Sequence, residues 1–146
     1  MINKILAQNP LFNGLAFDKI EEFLKNVGTY KRTFEKNEKI YTRGDLIDCI
    51  GIVLTGKVFI EIYDDRGNKS IISYIEQGGF FGETYALTGL PLMVDVSCME
   101  KTEVLFINIT NLTEGGYINN DFRDNLIKIL AKKKYDFVTK NKKYFA

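Results

Sequence analysis

The chain has 146 residues, of which 45% are hydrophobic, 13% are aromatic and 27% are charged, with a formal net charge of +1. This composition fits one globular domain and excludes a disordered chain. We expect neither a membrane span nor a signal peptide, because no apolar run is long enough and the N-terminus has no cleavage pattern.

The first predicted element is an amphipathic helix near the N-terminus. Asn9-Pro10-Leu11-Phe12 has the residue types that open a helix. Apolar residues then recur at spacings of three and four, the period of a helix with one buried face. These residues are Leu15, Phe17, Ile20, Phe23 and Leu24.

Short strands separated by turns follow the helix. In the clearest of them Val58, Ile60 and Ile62 alternate with larger or charged residues, and the turn 64–68 (DDRGN) favours a hairpin after it. Strands of this length and spacing are typical of a jelly roll or small barrel. We predict them over residues 29–34, 38–41, 49–54, 56–63, 70–75, 93–99 and 102–107.

Helices are predicted again after Ile109. Asn111 or Thr113 begins a short one, and Asn120 or Asp121 is the expected N-cap of a long one, roughly 35 Å in length. The long helix carries a narrow apolar stripe among lysines, which favours a dimer seam over a helix packed on its own core. The predicted seam consists of Phe122, Leu126, Ile129, Leu130, Lys133, Phe137 and Tyr144.

The glycine-rich turn at residues 78–83 is the strongest candidate for a binding site. Gly78, Gly79 and Gly82 stand just before Glu83. Glycine permits positive φ and close approach of a ligand to the backbone. Free N–H groups at such a turn form a concave surface that binds anions.

The order of these elements resembles the sensor half of the Crp–Fnr superfamily of bacterial transcription regulators. The resemblance is carried by residues 9–12 (NPLF), 44–45 (GD), 54–58 (LTGKV), 78–83 (GGFFGE) and 102–107 (TEVLFI). It implies a mainly-β jelly roll, or double-stranded β-helix, with flanking helices. The sensor domain would span residues 1–110 and the C-terminal helical segment residues 111–146.

The resemblance also implies a helix-turn-helix domain after the long helix. The sequence ends at Ala146, where the hinge to that domain would fall, so we expect either a separated sensor domain or a shortened protein. We expect a cytoplasmic homodimer without enzymatic activity, which would reach DNA only through the missing domain. Eight basic and three acidic residues lie in 121–146, and a solvated helix face explains them better than nucleic-acid binding.

The ligand chemistry of the family carries over only in part. In nucleotide-binding members an Arg holds the cyclic phosphate and a Glu accepts from the ribose hydroxyl. Glu83 matches that Glu, but Leu92 and Met93 stand where Arg and Ser or Thr would be, and an apolar pair does not balance a phosphate. The predicted effector is therefore a small molecule other than cyclic AMP. Its predicted site consists of Phe81, Gly82, Glu83, Thr84, Tyr85, Leu92 and Met93.

Three alternatives stay open. The turn could serve only to close the barrel, in a ligand-free dimerisation domain, or the chain could be a cyclic-nucleotide-binding regulatory module. A cupin-type metal enzyme is disfavoured, because the chain has no histidine. With no histidine and only Cys49 and Cys98 we predict no haem, iron–sulfur or metal cofactor, and Cys49 is expected to be a buried, inert thiol.

Overall fold

The computed structural model describes residues 4–110 and 119–140. Its helices are α1 (Lys4–Gln8), α2 (Phe17–Val27), α3 (Glu83–Thr88) and α4 (Asn120–Lys140), with a 3-10 turn at Pro10–Phe12. The Asn9 side chain begins the 3-10 turn, because it accepts a hydrogen bond from the N–H of Leu11 (2.9 Å). The short helix predicted at Asn111 or Thr113 lies outside the described residues.

Eight strands form two four-stranded sheets. The strands are β1 (Thr29–Phe34), β2 (Lys39–Tyr41), β3 (Cys49–Thr55), β4 (Lys57–Tyr63), β5 (Lys69–Glu76), β6 (Phe80–Phe81), β7 (Val94–Cys98) and β8 (Thr102–Asn108). The sheets have the orders β1-β8-β3-β6 and β2-β7-β4-β5, and the neighbouring strands are antiparallel. The predicted strands are all present, and β6 was not predicted.

The first sheet separates two hydrophobic cores. Strand β3 is apolar along its length because both of its faces are covered. Ile50 and Ile52 pack with the helices, whereas Val53 belongs to the core that the strands of both sheets form. Strand β8 repeats this division, with Leu105 in the core with the helices and others of its side chains in the core between the sheets.

An aromatic cluster attaches the start of α4 to the N-terminal helices. The ring of Phe122 lies 4.5 Å from that of Phe23 and 5.6 Å from that of Phe12, between centroids. Asn125 adds hydrogen bonds from its amide to the carbonyls of Leu11 (3.0 Å) and Asn13 (2.8 Å). The first half of α4 is therefore part of the core of this chain.

This arrangement corrects the predicted dimer seam. Phe122 and Leu126 are 0% and 3% exposed within a single chain, so they are not available to a partner. Ile129 and Leu130 are partly buried against the same core. These four residues of the predicted stripe therefore face their own domain, whereas a dimer contact at its C-terminal part stays a prediction. Phe137 is 59% exposed, and Tyr144 lies outside the described residues.

The long helix begins one residue earlier than predicted. The side-chain oxygen of Asn119 accepts a hydrogen bond from the N–H of Phe122 (2.9 Å), as a capping residue does. The predicted caps Asn120 and Asp121 lie in the first turn instead. None of the helices in residues 4–110 and 119–140 has the length and apolarity of a membrane span.

A buried carboxylate joins the strands of the second sheet. Asp95 on β7 is fully buried and accepts hydrogen bonds from the Tyr63 hydroxyl and from the N–H of Arg43 (2.8 Å). The ammonium groups of Lys39 and Lys69 lie 3.0 and 3.6 Å from its Oδ2. Burial raises the pKa of Asp95, but these hydrogen bonds outweigh that effect and lower the pKa to about 2. Asp95 is therefore charged and connects four strands and a loop.

Candidate functional site

A cavity of about 710 Å³ lies between β5, the turn before β6, helix α3 and strand β7. Its walls are mainly apolar, and Lys133 of α4 reaches its mouth. The volume and the apolar lining are typical of small-molecule sites. The apolar wall residues include Ile60, Ile72, Ile75, Phe80, Val94 and Val96.

The structure places six of the seven predicted effector residues around this cavity. They are Phe81, Gly82, Glu83, Thr84, Tyr85 and Leu92. Met93 is the exception: it is 68% exposed and lies outside the lining. Met93 lies at a bend just before β7 and faces solvent, while its neighbours Leu92 and Val94 line the cavity. That the six residues bind an effector stays a prediction.

Gly82 gives the turn at the cavity wall its shape. Its φ is +85°, a left-handed conformation that favours glycine. A Cβ at this position would lie 3.1 Å from Ile47 Cδ1 and 3.2 Å from Tyr41 Cε2, so the turn also has little room for a side chain. The turn leads directly into α3, whose first residue is Glu83.

Glu83 and Lys133 form an ion pair at the mouth of the cavity. Lys133 Nζ lies 2.9 Å from Glu83 Oε1 and 4.2 Å from the centroid of the Phe80 ring. The Glu83 side chain is 12% exposed, whereas the Lys133 side chain is 49% exposed. Lys133 was predicted at a dimer seam; in the structure it joins the second half of α4 to the cavity, because its face of the helix points inward.

The charges of the cavity do not favour a phosphate. Among the described residues that line it, the charged side chains are Glu76, Glu83 and Lys133, and there is no arginine. Glu76 already pairs with Lys57 (3.2 Å), which lies outside the lining. An anionic ligand would therefore meet two carboxylates and one ammonium group that already has a partner.

Both thiols are buried and free. Burial, with the neighbouring Asp48, raises the pKa of the Cys49 thiol to about 12. Burial also raises the pKa of Cys98. Neither thiol is therefore ionised near neutral pH, which makes both poor nucleophiles and poor redox sensors. In the described ranges no three His, Cys, Asp or Glu residues group as metal ligands would.

Two parts of the cavity were not predicted. Ile72 of β5 contributes to one wall, although β5 was predicted only as the partner of β4 in a hairpin. Lys133 is the other missed part. A signal for it was present, because Lys133 shares a helical face with Leu126 and Ile129 and is the charged residue in that stripe.

Comparison with known proteins defines the family. Residues 31–114, more than half of the chain, match the family described as "Cyclic nucleotide-binding domain". The cAMP-activated global transcriptional regulator Vfr of Pseudomonas aeruginosa is 35% identical over 54 residues, which are 37% of this chain and 25% of Vfr.

Solved structures show the same fold. The Thermus thermophilus Catabolite Activator Protein superposes with a TM-score of 0.77 at 23% identity, over 92% of this chain and 62% of that protein. The sensor domain of the transcriptional regulator DNR from Pseudomonas aeruginosa superposes with a TM-score of 0.71 at 14% identity, over 95% of this chain and 90% of that domain. The predicted jelly roll and the likeness in fold to Crp/Fnr-type sensor domains are thus confirmed. The chain belongs to the cyclic nucleotide-binding domain family.

Proposed function

We propose that this chain is the effector-sensing part of a transcription regulator and that its cavity binds a small molecule other than cyclic AMP. The observation that carries the proposal is the side chain of Leu92. It lies in the cavity wall, and the described lining contains no arginine. The sequence resemblance predicts the phosphate-binding Arg at this position. A phosphate without that charge-assisted, two-point contact would lose about 1.5–4 kcal/mol of binding free energy.

Signal transfer would run through α4. Lys133 contacts Glu83 and Phe80 at the cavity, and the preceding two turns of α4 pack on the core. A ligand that changes the Lys133 contacts shifts the balance between two positions of the second half of α4. A DNA-binding domain attached after this helix would move with it. This role is regulatory, not catalytic. We place the protein in the cytoplasm, since its two cysteines are free thiols, as is typical of a reducing compartment.

A homodimer would use a different face of α4 from the predicted one. Ile127 and Tyr135 are 59% and 65% exposed and lie two turns apart on the side of α4 away from Phe122. Large apolar side chains at this spacing are typical of a helix that packs against a symmetry mate. We therefore place the dimer contact on the face that contains these two residues.

The double variant Ile127→Asp/Tyr135→Asp tests this dimer. We expect the unchanged chain to be dimeric by size-exclusion chromatography with light scattering. The double variant should be monomeric, with a dimer dissociation constant raised at least about tenfold. The reason is that the interface would bury the two new aspartate charges of each subunit. Phe17→Asp, on an exposed site of α2, is the matched control and should leave the dimer intact. A monomeric unchanged chain, or a dimeric double variant, would contradict the proposed contact.

Cyclic nucleotide binding is the second candidate, and one observation favours it. Lys133 places an ammonium group at the cavity, where it could partly replace the missing Arg. Glu83 would then be released to accept from the ribose hydroxyl.

Leu92→Arg separates the two candidates. We expect cyclic AMP at millimolar concentration to raise the melting temperature of the unchanged chain by less than about 1 °C, because the phosphate has no Arg partner. Leu92→Arg should gain at least about tenfold in affinity for cyclic AMP. Met93→Arg is the matched control: its side chain points to solvent, so it should gain nothing. A large thermal shift of the unchanged chain at micromolar cyclic AMP would instead support the second candidate.

A further inference from the structure

Lys133 occupies a place that is built to recognise a cation. Its ammonium group contacts the Glu83 carboxylate at 2.9 Å and lies 4.2 Å from the centroid of the Phe80 ring. A carboxylate supplies a charge-assisted hydrogen bond, and an aromatic face attracts a positive charge through its quadrupole. These two contacts together are what an organic ammonium ion requires.

The two partners of the ion pair differ in how easily each can leave it. The Glu83 side chain is only 12% exposed and begins a short helix between two glycines with left-handed backbone, Gly82 and Gly89. Lys133 is 49% exposed and has a long, flexible stem. A displaced Lys133 ammonium group is therefore rehydrated at little cost in free energy, whereas Glu83 displaced from this contact would be a poorly hydrated charge. A ligand that replaces Lys133 therefore meets a smaller free-energy penalty than one that replaces Glu83.

The remaining lining favours the same kind of ligand. With Lys133 displaced, the charged groups of the described lining are Glu76 and Glu83, and Glu76 keeps its partner Lys57. Aromatic and branched aliphatic side chains, among them Ile72, Tyr74 and Tyr85, form the walls. The cavity thus offers one unpaired carboxylate beside a large apolar surface.

We propose that the effector is an organic ammonium compound with an apolar body, whose ammonium group replaces that of Lys133 between Glu83 and Phe80. This inference rests on the proposed function, since it assigns a ligand class to the same cavity. Lys133 then acts as an internal competitor that fills the cation site when the ligand is absent. Ligand binding releases it, and with it the ion pair that joins α4 to α3.

Three probes with one apolar body and different charges test the ligand class. They are 4-phenylbutylamine, 4-phenylbutanol and 4-phenylbutyrate, titrated calorimetrically into the full chain. We expect the amine to bind roughly tenfold more tightly than the alcohol, and the acid to bind most weakly. Glu83→Gln, which preserves the side-chain shape, should remove the preference for the amine. Lys133→Gln should strengthen amine binding several-fold, because it removes the competitor.

The outcomes separate this inference from the proposed function. If the acid binds most tightly and Lys133→Gln loses that binding, the proposed ligand class is wrong, but the cavity still binds an effector and the proposed function stands. Equal binding of the three probes, or no binding of the amine, would likewise overturn the ligand class. Micromolar binding of cyclic AMP in the same titration would overturn both proposals. Circular dichroism and melting curves of each variant without ligand confirm that it is folded.

Discussion

Phe122→Ala is expected to lower the free energy of unfolding by about 3–5 kcal/mol, the range for loss of a fully buried phenylalanine. Phe122 is 0% exposed, and its ring contacts those of Phe12 and Phe23. Removal of the ring leaves a cavity between α4, α2 and the 3-10 turn. It also loosens the first turns of α4, which hold the Asn125 amide within hydrogen-bond distance of two backbone carbonyls. Urea unfolding followed by circular dichroism measures the loss.

Phe17→Ala is the matched control for this experiment. Phe17 lies on α2 but is 61% exposed, so its truncation should cost less than about 1 kcal/mol. A loss below about 1 kcal/mol for Phe122→Ala as well would contradict the placement of α4 on the core. In that case the predicted dimer seam would again be the better explanation of the apolar stripe.

Asp95→Asn is expected to lower the free energy of unfolding by about 2–3 kcal/mol at neutral pH. The amide has one acceptor oxygen, which can keep the bond from the Arg43 N–H, but its NH2 group replaces the oxygen that Lys39 and Lys69 face. Both lysines are partly exposed, at 43% and 41%, and recover some hydration, which limits the loss. Urea unfolding measures the effect. Asp136→Asn, which breaks an exposed ion pair with Lys132, should cost less than about 0.5 kcal/mol.

The same residue predicts a pH dependence. The pKa of Asp95 is about 2 in the folded chain and about 3.9 for an unfolded aspartate. The stabilisation is therefore complete above about pH 4 and is lost as the pH falls towards 2. Asp95→Asn should make the free energy of unfolding less dependent on pH between pH 4 and pH 2. An unchanged slope between pH 4 and pH 2 would show that other carboxyl groups cause the acid sensitivity.

Strands were predictable because their signals are local. The alternation in β4 and the turn at residues 64–68 define a hairpin from sequence alone, and the structure pairs Val58 with Ile75 and Tyr63 with Lys69 accordingly. The continuous apolar run of β3 also has a local cause, since both of its faces are covered. The two-residue strand β6 was not predictable, because it exists only through pairing with β3.

The features that were missed depend on long-range contacts. The stripe on α4 shows which face is apolar, but not whether its partner is a second chain or Phe12 and Phe23. Asp95 was not among the predicted functional residues. Its partners come from three other strands and a loop, so neither its burial nor its charge network follows from the sequence. Met93 was assigned to the site from its alignment position, although its side chain points away from the cavity.

A calorimetric titration of the unchanged chain with cyclic AMP tests the central claim most directly, namely that this cavity senses a ligand other than a cyclic nucleotide. We predict no saturable heat up to millimolar cyclic AMP, because the described lining contains no arginine and Glu83 is held by Lys133. A micromolar dissociation constant that is lost in Glu83→Gln would contradict the claim, and would show that cyclic AMP is bound through Glu83 despite the missing Arg.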